Sequence, residues 1–89
     1  MPPSLTEGFV FTVTDLGLFL GKSAVTLRGW DRQGLVTIPR DPSGDRKMSA
    51  GQVREIAHAA YDLGRISCDR LKLVLASLTL LELLEKDKT

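Results

Sequence analysis

Apolar side chains recur at helical spacing in four stretches of the chain, and each stretch begins after a serine or threonine. An apolar residue at every third or fourth position gives a helix one buried face. A serine or threonine hydroxyl accepts a hydrogen bond from the free N–H groups at a helix start. The sequence therefore predicts four helices. They begin after Thr12, Ser23, Ser49 and Ser67, and the first three end at Gly21, about Gln33 and Gly64.

The apolar positions of the first three helices are expected to form one core. They are Val13, Leu16, Phe19 and Leu20, then Ala24, Leu27 and Trp30, then Val53, Ile56, Ala57, Ala60 and Leu63. Leu18 falls off the apolar face and is expected at the surface. Gly29 lies inside the second helix at a cost of about 1 kcal/mol relative to alanine. It either lets another backbone approach closely or is simply tolerated.

Two short strands are predicted between the second and third helices. Leu35–Ile38 is typical of a strand, Asp41–Gly44 has proline and glycine where a β-turn favours them, and Arg46–Met48 returns as a second strand. These segments predict a hairpin with a basic tip. Together with the helices they give a mainly α fold with a two-stranded β wing, a winged helix-turn-helix.

Leucine and valine cover nearly the whole circumference of the last predicted helix. A helix that is apolar all round needs burial on more than one side. One side can cover the first three helices, and we expect another subunit or a partner protein to cover the rest. The candidate interaction surface comprises Leu18, Leu73, Leu80 and Leu84.

The 89 residues predict one domain, 11–89, preceded by a flexible arm, 1–10, that is rich in proline and glycine. No apolar run is as long as a membrane span, and the N-terminus lacks the regions of a signal peptide. The single cysteine, Cys68, has no internal disulfide partner. We therefore expect a cytoplasmic protein.

The net charge of +1 is small, but the positive excess is concentrated in residues 22–47. That stretch has a net charge of +3, because Lys22, Arg28, Arg32, Arg40, Arg46 and Lys47 stand against Asp31, Asp41 and Asp45. Charge alone fits either an ordinary solvated face or a nucleic-acid partner.

Residues with catalytic chemistry are few. His58 is the only histidine and is expected on the polar side of the third helix, without the positioned partner that a catalytic histidine needs. Cys68 also stands alone, and neither metal-ligand spacing nor a phosphate-binding glycine loop is present. We expect neither an enzyme nor a cofactor.

The second helix has the composition of a helix that enters the major groove of DNA, because its first turns present short, hydrogen-bonding and basic side chains. The basic hairpin would contact the backbone or a minor groove. The candidate DNA-binding residues are Lys22, Ser23, Val25, Thr26, Arg28, Arg32, Arg46 and Lys47. The structural alternative is a helical bundle with a surface hairpin. It does not explain why both the second helix and the hairpin carry the positive excess.

The motifs resemble the MerR-type winged helix-turn-helix domain of bacterial regulators and small excisionases. The matching positions are Phe11-Thr12-Val13, Gly21, Ser23, Thr26-Leu27-Arg28, Trp30-Asp31, Gly34-Leu35, Gly44-Asp45-Arg46, Ser49, Asp62-Leu63-Gly64 and Ser67. The resemblance covers residues 11 to about 82. It implies that the second helix enters the major groove, that Ser23, Thr26 and Arg28 contact bases or phosphates, and that Arg46 contacts the backbone. It also implies that Trp30 supports the second helix from within.

Three positions depart from the family pattern. Val25 stands where the family is often basic, Gly29 replaces a frequent aromatic residue, and Met48 stands where the wing usually carries tyrosine. The resemblance implies sequence-specific binding of double-stranded DNA by a transcription regulator or a recombination accessory factor. The alternative is a protein-interaction module that uses the last helix, which the low net charge and Val25 favour modestly.

Overall fold

The computed structural model describes residues 10–39 and 47–87, which form four α-helices and a two-stranded antiparallel sheet. In chain order the elements are β1 (Val10–Thr12), α1 (Val13–Leu20), α2 (Ala24–Arg32), β2 (Lys47–Ser49), α3 (Ala50–Asp62) and α4 (Cys68–Asp87). This architecture confirms the predicted fold class of four helices with a small two-stranded sheet.

Each helix begins at the predicted capping residue. Thr12 and Asp15 form a reciprocal capping box at α1, and Ser49 and Gln52 form another at α3. The Ser23 Oγ accepts from the Thr26 N–H at the start of α2. At the start of α4, Ser67 Oγ accepts from the Arg70 N–H at 3.1 Å. The four helix starts predicted from the sequence are thus confirmed.

The pairing of the strands differs from the predicted hairpin. Lys47–Ser49 is a strand, but its partner is Val10–Thr12, with Phe11 opposite Met48. The prediction of a strand at Leu35–Ile38 was wrong. The Ile38 N–H donates to Asp31 Oδ1 at 3.3 Å, so this segment is tied back to α2. The predicted turn at Asp41–Gly44 lies outside the described residues.

Alternation along Leu35–Ile38 reflects packing. Val36 and Ile38 are both buried in the core, and the residue between them is exposed. An extended segment places every second side chain on one side whether or not it pairs with another strand. The segment therefore contributes two side chains to the core without the strand pairing that was predicted for it.

One cluster of apolar side chains joins all the elements. Leu16, Leu27, Val53, Ala57, Val74 and Leu78 are among its fully buried members. The rings of Phe11 and Phe19 meet edge to face, with centroids 5.4 Å apart. Trp30 is buried, as expected of the residue that supports α2. Leu63 was predicted for the core but is 46% exposed. The helix α3 ends at Asp62, so Leu63 is the C-cap residue and does not continue the buried face.

The turn between α1 and α2 is closed by two glycines. Gly21 ends α1 with φ 69°, a left-handed conformation that glycine adopts without strain. Gly17 is buried under the turn, and its carbonyl accepts from the Lys22 N–H at 3.0 Å. A Cβ on Gly17 would lie 2.5 Å from the Lys22 carbonyl oxygen. Close approach of another backbone thus occurs at Gly17; at Gly29 no other atom lies within 4 Å of the Cβ position.

The last helix packs on the others with one face only. Leu71, Val74 and Leu78 are buried, and α4 contacts α1 and α3. Arg54 on α3 pairs with Glu82 at 2.6 Å, an exposed bridge that contributes less than about 1 kcal/mol. No helix in the described part of the chain is long and apolar enough to cross a membrane.

Candidate nucleic-acid interface

The outward face of α2 combines apolar, hydroxyl and cationic side chains. Val25, Arg28, Gly29 and Arg32 are spaced at three, four and seven residues and therefore share one side of the helix. Val25, Arg28 and Arg32 are exposed, with Thr26 exposed beside them. The opposite side carries the buried residues Leu27 and Trp30. The core therefore fixes which side of α2 faces outward.

The acidic residue within α2, Asp31, is not one of the side chains that share the outward face. Asp31 is half-buried, and its carboxylate accepts from the Ile38 N–H. Arg28 and Arg32 lie on the outward face, and Lys22 is half-buried just before the helix. The cations extend from the N-terminus of α2 to its last turn.

The hydroxyl groups at the start of α2 are connected to each other. The Ser23 hydroxyl donates to Thr26 Oγ1 at 2.9 Å while its oxygen accepts from the Thr26 N–H at 3.1 Å. Ser23 therefore uses its hydroxyl to cap the helix. The exposed Thr26 hydroxyl lies 2.9 Å from the Ser23 oxygen, so the two hydroxyl groups lie together at the start of α2.

Two arginines that the sequence analysis did not assign lie beside Lys22. A hollow of about 210 Å³ beside the α1–α2 turn has Lys22, Arg65 and Arg70 in its lining. The Arg70 Nη1 donates to the Phe19 carbonyl at 3.4 Å, at the C-terminal end of α1. A cation in the first turn of α4 is unfavourable for that helix's own dipole. This mismatch was the sequence signal that Arg70 serves another element.

The predicted wing residues are only partly described. Lys47 is exposed and is the first residue of β2. Arg46 lies outside the described residues. The sequence-based expectation that Arg46 and Lys47 contact the DNA backbone stays a prediction.

The four leucines of the predicted interaction surface all lie exposed. Leu18 on α1 is 76% exposed, and Leu73, Leu80 and Leu84 on α4 are each more than half exposed. We call these four residues the leucine surface. Leu18 and Leu73 both line a hollow of about 240 Å³ between α1 and α4. The part of the leucine surface on α1 is therefore next to the part on α4. Leu83, also exposed, was missed because leucine at that position can equally belong to a buried face.

His58 and Cys68 are both exposed. Within residues 10–39 and 47–87, no group of three or more histidine, cysteine or acidic side chains is arranged to hold a metal ion. His58 lies on α3 and Cys68 is the first residue of α4, so neither belongs to the outward face of α2.

No protein-family model matches the chain, and no curated protein is significantly similar to it in sequence. Among solved structures, the chain is similar to HiNmlR, a MerR family regulator lacking the sensor domain, whose crystal structure is bound to promoter DNA. The TM-score is 0.45 and the identity 22%, over 80% of this chain and 56% of that one. The chain thus corresponds to little more than half of the regulator's length.

Proposed function

We propose that this protein binds double-stranded DNA in a sequence-specific manner, as a small transcription regulator or a recombination accessory factor. The observation that carries the proposal is the outward face of α2, where Arg28 and Arg32 lie exposed on the same side as Val25 while the carboxylate of the helix's one acidic residue accepts from the Ile38 N–H. DNA presents a dense row of phosphates around a groove wide enough for an α-helix. The face matches both features.

The outward face divides into two kinds of contact. Arg28, Arg32 and Lys22 supply cations for phosphates on either side of the groove, and such contacts fix position without reading sequence. Thr26 and Val25 are short side chains that reach base edges when the helix lies in the groove. Arg46 and Lys47 would add backbone contacts from the segment that leads into β2. Specificity then comes from α2, and affinity comes from the cations.

Replacing Arg28 by alanine is expected to weaken DNA binding about tenfold, because one charge-assisted hydrogen bond is lost. The logarithm of the binding constant should also depend less steeply on the logarithm of salt concentration, by about one unit. Fluorescence anisotropy of genomic fragments flanking the gene, titrated across salt concentrations, measures both quantities.

Lys72→Ala is the matched control for this experiment. Lys72 is an exposed cation on α4, so its removal lowers the net charge equally without touching α2. The control should bind like wild type. Wild-type binding that is weak, insensitive to sequence and unchanged by Arg28→Ala would contradict the proposal.

We also propose that a second copy of the chain covers the leucine surface. Leu73, Leu80 and Leu84 are spaced at seven and four residues, the repeat with which two helices pack against each other. A domain of this size offers few contacts to DNA. Two joined copies multiply their effective affinity without any new contact. Self-association would therefore raise the affinity of the proposed DNA binding.

A protein-interaction module is the second candidate function. The observation that favours it is the same leucine surface, which a different protein can cover as well as a second copy can. Sedimentation with and without DNA distinguishes the two functions. A DNA-binding protein sediments faster when duplex is added, whereas an interaction module leaves the duplex free.

A further inference from the structure

Val25 is an exposed apolar side chain on a face that is otherwise polar. It is 71% exposed on the outward face of α2, with Arg28 and Arg32 on the same side. Val25 is not part of the core, and an exposed β-branched residue is not favoured in a helix. A side chain of this kind gains free energy only when a partner's apolar group covers it.

The surface around Val25 is low and open. Gly29 follows one turn later on the same face, and no other atom lies within 4 Å of the position that a Cβ would occupy there. The backbone of α2 is therefore accessible next to Val25, so a partner can approach the helix closely. Arg28 and Arg32 on the same face favour a partner that carries negative charge next to an apolar feature.

In the major groove of DNA, the apolar feature on the base edges is the 5-methyl group of thymine. We infer that Val25 recognises a thymine by packing against this methyl group. Valine has one strongly preferred rotamer in a helix, so its methyl groups are held at a fixed place on the face. Other bases present polar groups at the groove edge, and packing against valine would strip these groups of water. The inference rests on the proposed function and adds the base that this residue reads.

Deoxyuridine provides the direct test, because it differs from thymidine only by the absence of the 5-methyl group. A binding duplex is first selected from a random library with the full chain. Each thymine is then replaced in turn by deoxyuridine, and affinity is measured by anisotropy for wild type and for Val25→Ala. For wild type, one replacement per bound copy should weaken binding about fourfold, the value expected for one methyl group.

The same replacement should leave the affinity of Val25→Ala unchanged, because the packing partner is already gone. Val10→Ala is the matched control: Val10 is an exposed valine on β1, and its variant should keep the full response to deoxyuridine. Circular dichroism checks that both variants are folded. The inference is overturned if no replacement weakens wild-type binding, or if Val25→Ala shows the same loss as wild type.

Failure of the inference and failure of the proposed function give different results. Salt-dependent, sequence-specific binding without any response to deoxyuridine would remove the assignment of Val25 and leave the proposed function standing. Selection that recovers no preferred duplex would overturn both.

Discussion

Gly17→Ala should destabilise the protein by about 2 kcal/mol, although alanine is the better helix former. The new Cβ would lie 2.5 Å from the Lys22 carbonyl oxygen, a distance that side chains essentially never show against backbone. Because the Lys22 N–H is bonded to the Gly17 carbonyl, the turn cannot move away without losing that bond. The melting temperature should fall by about 10 °C.

Gly29→Ala is the matched control, since it makes the same chemical change inside the neighbouring helix. No other atom lies within 4 Å of that Cβ position, so the variant should gain up to about 1 kcal/mol from helix propensity. Thermal melts of both variants at one protein concentration give the comparison. A Gly17→Ala melting temperature at or above that of wild type would show that the α1–α2 turn is not closed as described.

The double variant Leu73→Glu/Leu80→Glu should weaken self-association at least about 100-fold. Each leucine contributes roughly 1.5–3 kcal/mol when fully buried, and each glutamate adds the cost of removing a charge from water. Both side chains are more than half exposed, so the fold of one chain should be unaffected. Sedimentation equilibrium over a range of protein concentrations measures the change.

Leu63→Glu is the control for this variant, because Leu63 is an exposed leucine at the end of α3 and outside the leucine surface. It should associate as wild type does. A wild-type chain that stays monomeric at every concentration, or a double variant that associates normally, would contradict the assembly proposal. Monomeric behaviour would direct the search to a different protein as the cover of the leucine surface.

The helices were predictable from the sequence because their signals are local. Thr12 with Asp15 and Ser49 with Gln52 satisfy the helix N-termini within four residues, and apolar spacing then fixes the buried face. The strand pairing was not predictable in the same way. Leu35–Ile38 alternates like a strand, but the hydrogen bonding of Ile38 depends on Asp31, and the partner of β2 comes from before α1.

The candidate site was predictable where it depends on local helical spacing and unpredictable where it depends on tertiary packing. Helical periodicity places Val25, Arg28 and Arg32 on one side once Leu27 and Trp30 face the core. Arg65 and Arg70 lie beside Lys22 only because the start of α4 packs against the α1–α2 turn. This is a tertiary contact. Long-range arrangement of this kind leaves little trace in local spacing.

Chemical-shift mapping by NMR shows directly which residues of the chain contact DNA. The ¹⁵N-labelled chain of 89 residues is titrated with a selected duplex of about 20 base pairs, two helical turns. The largest amide shift changes should fall between Lys22 and Gln33, which contain the outward face of α2. Changes confined to α4, or a spectrum that the duplex leaves unaltered, would contradict DNA binding through the outward face of α2.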